Sequence, residues 1–267
     1  MKYKLFITDY DGTLGRVSVI EPDTLAAVKK FIALGGKFVV CTGRMLFSIR
    51  DIMLKYGLNC HVISYQGALI DELASGKRIF SGGIDYNFAA EVVSAVKSEN
   101  ADVAVDVGET RIYEKASEFT KTYETVTGIH GKLVDNLESE ILSRRVPVLK
   151  ITLLTTPETA RMLTDKYSKL YKGRLLVNNG AETIVEFVNP DCNKGRAVER
   201  IAKYLGVPLS EVIAVGDSTN DITLINGAWH GVAVGDAREE LKRVADEITV
   251  PYDAQPVKYL LEKYCFS

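Results

Sequence analysis

The chain has 267 residues, 46% hydrophobic and 25% charged, a mix that suits a globular protein and excludes a disordered one. A formal net charge of −2 excludes an overall basic field that would draw it onto nucleic acid or an anionic membrane. No apolar run approaches the ~18–20 residues that span a bilayer, and the apolar stretch at residues 5–8 is too short for a secretion signal, with Asp9 and Asp11 following at once. The length favours two cores over one.

In chain order, residues 4–8 read as a short apolar strand and residues 22–34 as an amphipathic helix, with Leu25, Val28 and Ile32 at helical spacing. Gly35-Gly36 stops that helix, residues 37–41 form a second apolar strand, residues 45–56 a helix and residues 61–64 a third strand. Strands apolar on both faces and joined through helices imply a parallel sheet covered on both sides. Residues 68–71 and 77–80 flank a Ser75-Gly76 turn as a hairpin. The texture then changes. A helix over 86–97, short strands at 103–107 and 111–113, and a polar stretch lead to a strand at 150–154 and a helix at 157–171, then paired strands at 175–177 and 183–188. Helices beside antiparallel strands describe an α+β insert. The first rhythm returns with a helix over 194–205, strands at 212–215 and 231–234, and a helix over 238–244. The expected division is a core of residues 1–81 with 190–267 and an inserted domain of 82–189, without internal repeats.

Cys41, Cys60, Cys192 and Cys265 are widely spread and include no C-x-x-C pair, so buried thiols in a reducing cytoplasm are expected, not a disulfide framework or zinc site. His61, His130 and His230 fall in no metal-ligand pattern and read as structural or surface residues.

Four places carry chemistry. Asp9 and Asp11 follow the first apolar strand, where ligands bind in an open parallel sheet, and Gly12 lets the chain turn; taken alone, Asp11-Gly12 also fits a hairpin turn. The second strand ends in Thr42-Gly43-Arg44, a hydroxyl and an open backbone amide able to hold a phosphoryl oxygen, or equally an ordinary helix N-cap. Lys194 begins a helix, where it opposes the macrodipole; a fixed cation there could neutralise a carboxylate or phosphate, and a solvated lysine is the plainer alternative. Finally, Gly216-Asp217-Ser218-Thr219-Asn220-Asp221 follows a buried strand, and a helix starting there would set Asp217 and Asp221 on one face. Clustered carboxylates repel unless a cation sits among them, and such oxygen ligands suit Mg²⁺. Each plain alternative is tolerable separately, but together they leave unexplained why three buried strands end in the groups that phosphoryl transfer needs.

Asp9-Tyr10-Asp11-Gly12-Thr13, Thr42-Gly43-Arg44, Lys194 and Gly216-Asp217 with Asn220-Asp221 resemble, in order, the four motifs of the haloacid dehalogenase (HAD) superfamily. Tyr65-Gln66-Gly67-Ala68 and the glycine- and valine-rich segment from Gly227 to Gly235 are similar to its Cof-type, sugar-phosphatase-like branch. Gln66 stands where that branch usually has Asn, Asp236 where Asn is common, and Ala254-Gln255-Pro256-Val257 replaces an Asp-Gly-Val.

The resemblance implies an α/β fold: a doubly wound, mostly parallel, Rossmann-like core with an inserted α+β cap that sets specificity. It implies an Mg²⁺-dependent phosphatase acting on small phosphorylated metabolites, sugar phosphates or phosphorylated cofactors, through an aspartyl phosphate. Asp9 would be the nucleophile and Asp11 the acid and then the base. Asp9, the backbone carbonyl of Asp11 and Asp217 would hold Mg²⁺, with Asp221 orienting the ligands. Thr42, Gly43, Lys194 and Asn220 would bind phosphate, and Arg44 is a further candidate. Monomer or small homo-oligomer both fit. A phosphomutase of the same superfamily is the alternative; a phospho-accepting receiver would need a shorter chain without an insert, and a transport ATPase would need membrane spans.

Overall fold

The computed structural model describes Met1–Phe266, which divide into two compact units: Met1–Phe80 with the chain from Asn193 onward, and Ser81–Cys192.

The first unit opens with β1 (Leu5–Thr8), α1 (Pro22–Ala33), β2 (Lys37–Cys41), α2 (Leu46–Lys55), β3 (His61–Ser64), β4 (Leu69–Glu72) and β5 (Lys77–Ser81). Every residue of β1 is buried, because parallel neighbours flank it on both sides and helices cover both faces. On α1 the buried stripe is Thr24, Ala27, Val28 and Phe31, whereas Ile32 is exposed, so the face is turned from the one that Leu25 and Ile32 suggested. Phe31 packs edge-on against Phe6, and Phe6 stacks on Phe38.

The second unit comprises α3 (Tyr86–Val96), β6 (Asp102–Val107), β7 (Thr110–Tyr113), α4 (Glu118–Thr127), β8 (Lys132–Leu133), α5 (Leu137–Arg144), β9 (Val148–Leu154), α6 (Pro157–Leu170), β10 (Leu176–Ala181) and β11 (Ile184–Val188). Its strands form one sheet in the order β10-β11-β9-β6-β7-β8, with Val105, Ile151, Leu153 and Phe187 in a core shared with Val93 and Tyr167 of the helices. The polar stretch that follows β7 is in fact α4, β8 and α5. Helix α4 buries only Thr120 and Tyr123, so it lacks an apolar stripe; a capping box between Ser117 and Thr120 marks its start and Gly128 its end. Beside it Arg111, almost fully buried, donates to Asp106 at 2.8 Å with its guanidinium over the Tyr123 ring.

The chain returns to the first unit through α7 (Lys194–Leu205), β12 (Val212–Gly216), α8 (Ile222–Ile225), β13 (His230–Ala233), α9 (Glu239–Lys242), β14 (Glu247–Ile248) and α10 (Pro256–Cys265). The sequence did not indicate β14, with its two residues, or α10, which starts at Pro256 after Gln255 in a left-handed conformation (φ 58°). The sheet order is β14-β13-β12-β1-β2-β3-β4-β5, parallel from β14 to β3 with β4 antiparallel. The strands succeeding β1 run one way across the sheet and those succeeding β12 the other, which makes the β1–β12 boundary a switch point. Thr8 pairs in register with both Val40 and Val215, so the residues that follow β1, β2 and β12 emerge at one level of the sheet edge. Among the described residues no helix is long and apolar enough to cross a membrane.

Candidate active site

Asp9 is the first residue beyond β1, its backbone fixed by an N–H bond to the Val215 carbonyl at 2.9 Å. Its Oδ1 accepts from Lys194 Nζ at 2.6 Å, and the same ammonium donates to Asp221 Oδ1 at 2.5 Å. Lys194 is 1% exposed and Asp221 0%, so this is a buried ion triad and not a solvated lysine. The start of α7 can reach the sheet edge because two glycines let backbones touch. A Cβ on Gly67 would lie 2.4 Å from the Asn193 carbonyl, and one on Gly195 2.4 Å from the Thr223 carbonyl. Asn193 caps the helix by accepting from Arg196 N–H.

Asp217 and Asp221 do not share a helix face as their spacing suggested. Asp217 precedes a 3-10 turn over Thr219–Asp221, and Asp221 folds back to accept the N–H groups of Asp217 and Ser218, both at 3.1 Å. Ser218 is the cap of that turn. Lys194 and these two amides therefore occupy both oxygens of Asp221. Asp217 in turn accepts from Thr13 Oγ1 at 2.9 Å, a role the sequence reading did not give to Thr13. Gly12, at φ 81°, lies so close that a Cβ there would stand 2.6 Å from Asp217 Oδ2.

One carboxylate oxygen each from Asp9, Asp217 and Asp221 lies within 4.8 Å of the others. Three carboxylates with one lysine leave the cluster short of positive charge. Burial, opposed by Lys194 and reinforced by Asp221, pushes the Asp9 carboxyl up to about 8, and burial pushes Asp217 up to about 6. A divalent cation among hard oxygen ligands would meet that deficit, and the donor set fits one. Burial also pushes the neighbouring Cys41 thiol well above the ordinary thiol range, which leaves it neutral.

Thr42 is buried beyond β2, its N–H on the Ile63 carbonyl at 2.8 Å and its Oγ1 accepting from Arg44 N–H at 3.1 Å. The carboxamide of Gln66 lies against Gly43, where a Cβ would come within 2.6 Å of Nε2, and Gln66 N–H donates to the Thr42 carbonyl. Asn220 is exposed on the 3-10 turn, one residue before buried Asp221. Arg44 lies against Asp11, not in the triad: Nε and Nη2 grip the two oxygens of the Asp11 carboxylate at 2.7 and 2.6 Å. Two sequence departures have local structural roles. Asp236 accepts from Tyr252 N–H at 2.9 Å, and Gln255 accepts from Thr24 Oγ1 at 3.0 Å. All four cysteines are buried thiols.

The pattern that defines the haloacid dehalogenase-like hydrolases matches residues 6–261. This chain belongs to that family. Phosphatase YwpJ of Bacillus subtilis is 28% identical to the hydrolase over 97% of this chain and 99% of its own length. The HMP-PP phosphatase of Serratia proteamaculans is 25% identical over 93% and 89%. The crystal structure of TM0651 from Thermotoga maritima superposes on this hydrolase with a TM-score of 0.89 at 26% identity, covering 98% of this chain and 97% of that one.

Proposed function

We propose that this hydrolase is an Mg²⁺-dependent phosphatase of small phosphate monoesters that works through an aspartyl phosphate on Asp9. The buried triad of Asp9, Lys194 and Asp221, with Asp217 beside it, carries this reading: a nucleophile held next to a fixed cation at a sheet switch point. Two relatives are named as phosphatases of phosphorylated metabolites, HMP-PP and 5-amino-6-(5-phospho-D-ribitylamino)uracil, which supports a small phosphorylated substrate.

Asp9 and Asp217 would hold the ion through side-chain oxygens and Asp11 through its backbone carbonyl. Asp221, with both oxygens already engaged, orients Lys194 and the Asp217 backbone. Bound there, Mg²⁺ supplies charge that keeps Asp9 ionised and stabilises the phosphoryl oxygens. Lys194 keeps Asp9 Oδ1 fixed while the other oxygen attacks phosphorus. The Thr42 hydroxyl and Gly43 N–H hold equatorial phosphoryl oxygens, and Asn220 flanks them from the turn. Asp11 gives a proton to the leaving oxygen, then takes one from the water that cleaves the aspartyl phosphate. The Ser81–Cys192 unit, which holds none of these groups, is the proposed seat of leaving-group recognition. A reducing cytoplasm accommodates four buried thiols.

With Mg²⁺, the protein should release inorganic phosphate to water from a panel of esters, and chelation should reduce the rate by at least about 10², the scale of losing one main electrostatic stabiliser. Ca²⁺ should support it poorly, since it takes more ligands at longer distance. Undiminished release by metal-stripped protein in excess chelator would refute the assignment. Gly12→Ala should weaken Mg²⁺ binding by about tenfold, roughly 1.4 kcal/mol, because its Cβ displaces Asp217. Calorimetric titration showing unchanged affinity would remove Asp217 from the ligand set.

A further inference from the structure

Arg44 makes three side-chain hydrogen bonds that no step above uses. Its Nε and Nη2 donate to Asp11 Oδ2 and Oδ1 at 2.7 and 2.6 Å, and Nη2 also donates to the Val17 carbonyl at 2.9 Å. The arginine backbone is pinned, its N–H on Thr42 Oγ1 and its carbonyl accepting from Tyr65 N–H at 3.0 Å. Val17 is β-branched yet sits at φ 57°, a conformation such residues avoid, and it is 76% exposed. Strain of this kind persists where surrounding contacts impose it, and the bond from Arg44 to the Val17 carbonyl is one of them.

A carboxylate gripped on both oxygens by one guanidinium is held to that orientation, and delivering a proton to an ester oxygen requires Asp11 to turn out of it. The planar guanidinium then holds two parallel donors without acceptors, one residue from the Gly43 amide assigned to the transferred phosphoryl group. That fork matches a carboxylate or phosphate in shape as well as charge. We infer that Arg44 is a specificity-determining residue that reads a second anionic group on the substrate: that group replaces Asp11 in the fork and thereby frees Asp11 to act. The inference rests on the phosphatase reading and names a substrate class within it, phosphate monoesters that carry a second anion. No covalent step beyond that reading is added.

Two matched pairs test it: glycerol 3-phosphate against 3-phosphoglycerate for a carboxylate, and fructose 6-phosphate against fructose 1,6-bisphosphate for a phosphate. In at least one pair the wild type should favour the anionic member in kcat/KM by about fivefold or more, within the worth of one charge-assisted contact. Arg44→Gln should bring that ratio below fivefold, slowing the anionic member, which loses its fork, and not slowing the neutral one, for which Asp11 is already released, with Arg44→Lys in between. A wild-type ratio below fivefold in both pairs, with phosphate still released from p-nitrophenyl phosphate, overturns the inference, as does a ratio that survives Arg44→Gln. No phosphate from any ester overturns the phosphatase reading itself. A crystal structure of the Asp9→Asn protein with 3-phosphoglycerate decides the matter without turnover. The carboxylate should lie in the Arg44 fork with Asp11 turned away; an intact Arg44–Asp11 pair beside bound ester overturns the inference.

Discussion

Exchanging Lys194 for methionine should remove turnover and destabilise the metal-free protein by ~3–5 kcal/mol at pH 8, the usual consequence of stripping one partner from a buried ion pair. Methionine fills nearly the same volume, so the loss is electrostatic and not a cavity. Without the ammonium, Asp9 and Asp221 face each other, both almost fully buried. The pH dependence follows from Asp9, whose carboxyl is raised from an ordinary 3.8 to about 8. A group with a raised folded-state value contributes stability that is present below its unfolded value and lost as pH rises through the folded one. The metal-free wild type should therefore lose stability between about pH 4 and pH 8. In the variant the missing cation extends that loss upward, so its deficit should be small at pH 5 and large at pH 8. Urea unfolding in chelator at the two pH values measures this. A variant as stable as wild type at pH 8, or one retaining a tenth of its activity, would contradict the role given to Lys194.

The parts of the molecule legible in the sequence are those where local pattern and tertiary environment agree. Residues 5–8, 37–41 and 212–215 are apolar without alternation because the sheet is covered on both faces, so strand ends, and hence Asp9, Thr42 and Asp217, could be located from residue type alone. Lys194 is only half legible: a lysine in the first turn of a helix goes against the dipole, which singles it out, yet a solvated side chain is the plainer local reading, and only the fold brings Asp9 and Asp221 onto its ammonium. The Asp217–Asp221 geometry is not legible: four-residue spacing suggests a shared helix face, whereas the 3-10 turn lets Asp221 cap the preceding amides instead. Helix α4 leaves no periodic signal because a capping box and a few buried contacts, and not an apolar stripe, define it. The Arg44–Asp11 pair lies beyond any local reading: 33 residues separate the partners, and a turn at Gly12 and a loop after β2 bring them together.

Asp11→Asn should separate the chemistry of Asp11 from that of its neighbour Asp9. The backbone carbonyl proposed as a metal ligand survives the change, and the asparagine oxygen can still accept a bond from Arg44, so fold and Mg²⁺ binding should persist. The proton donor disappears, and later the base. An alkyl phosphate leaves as a strongly basic alkoxide, so its first step should fall by about 10²–10⁴. A p-nitrophenyl ester leaves as a stable phenolate and hardly needs the proton, so its first step should survive better. In single turnover the variant should therefore release nitrophenol and then stall as aspartyl phosphate on Asp9, since nothing remains to activate water. Arg44 adds a second contrast. In the wild type, Asp11 must leave the guanidinium before it acts, whereas asparagine has no acid role to be released for, so the preference for esters with a second anion should disappear from the first-step rate and remain only in binding. Equal first-step losses for the alkyl and nitrophenyl esters would show that Asp11 positions other groups and does not transfer the proton.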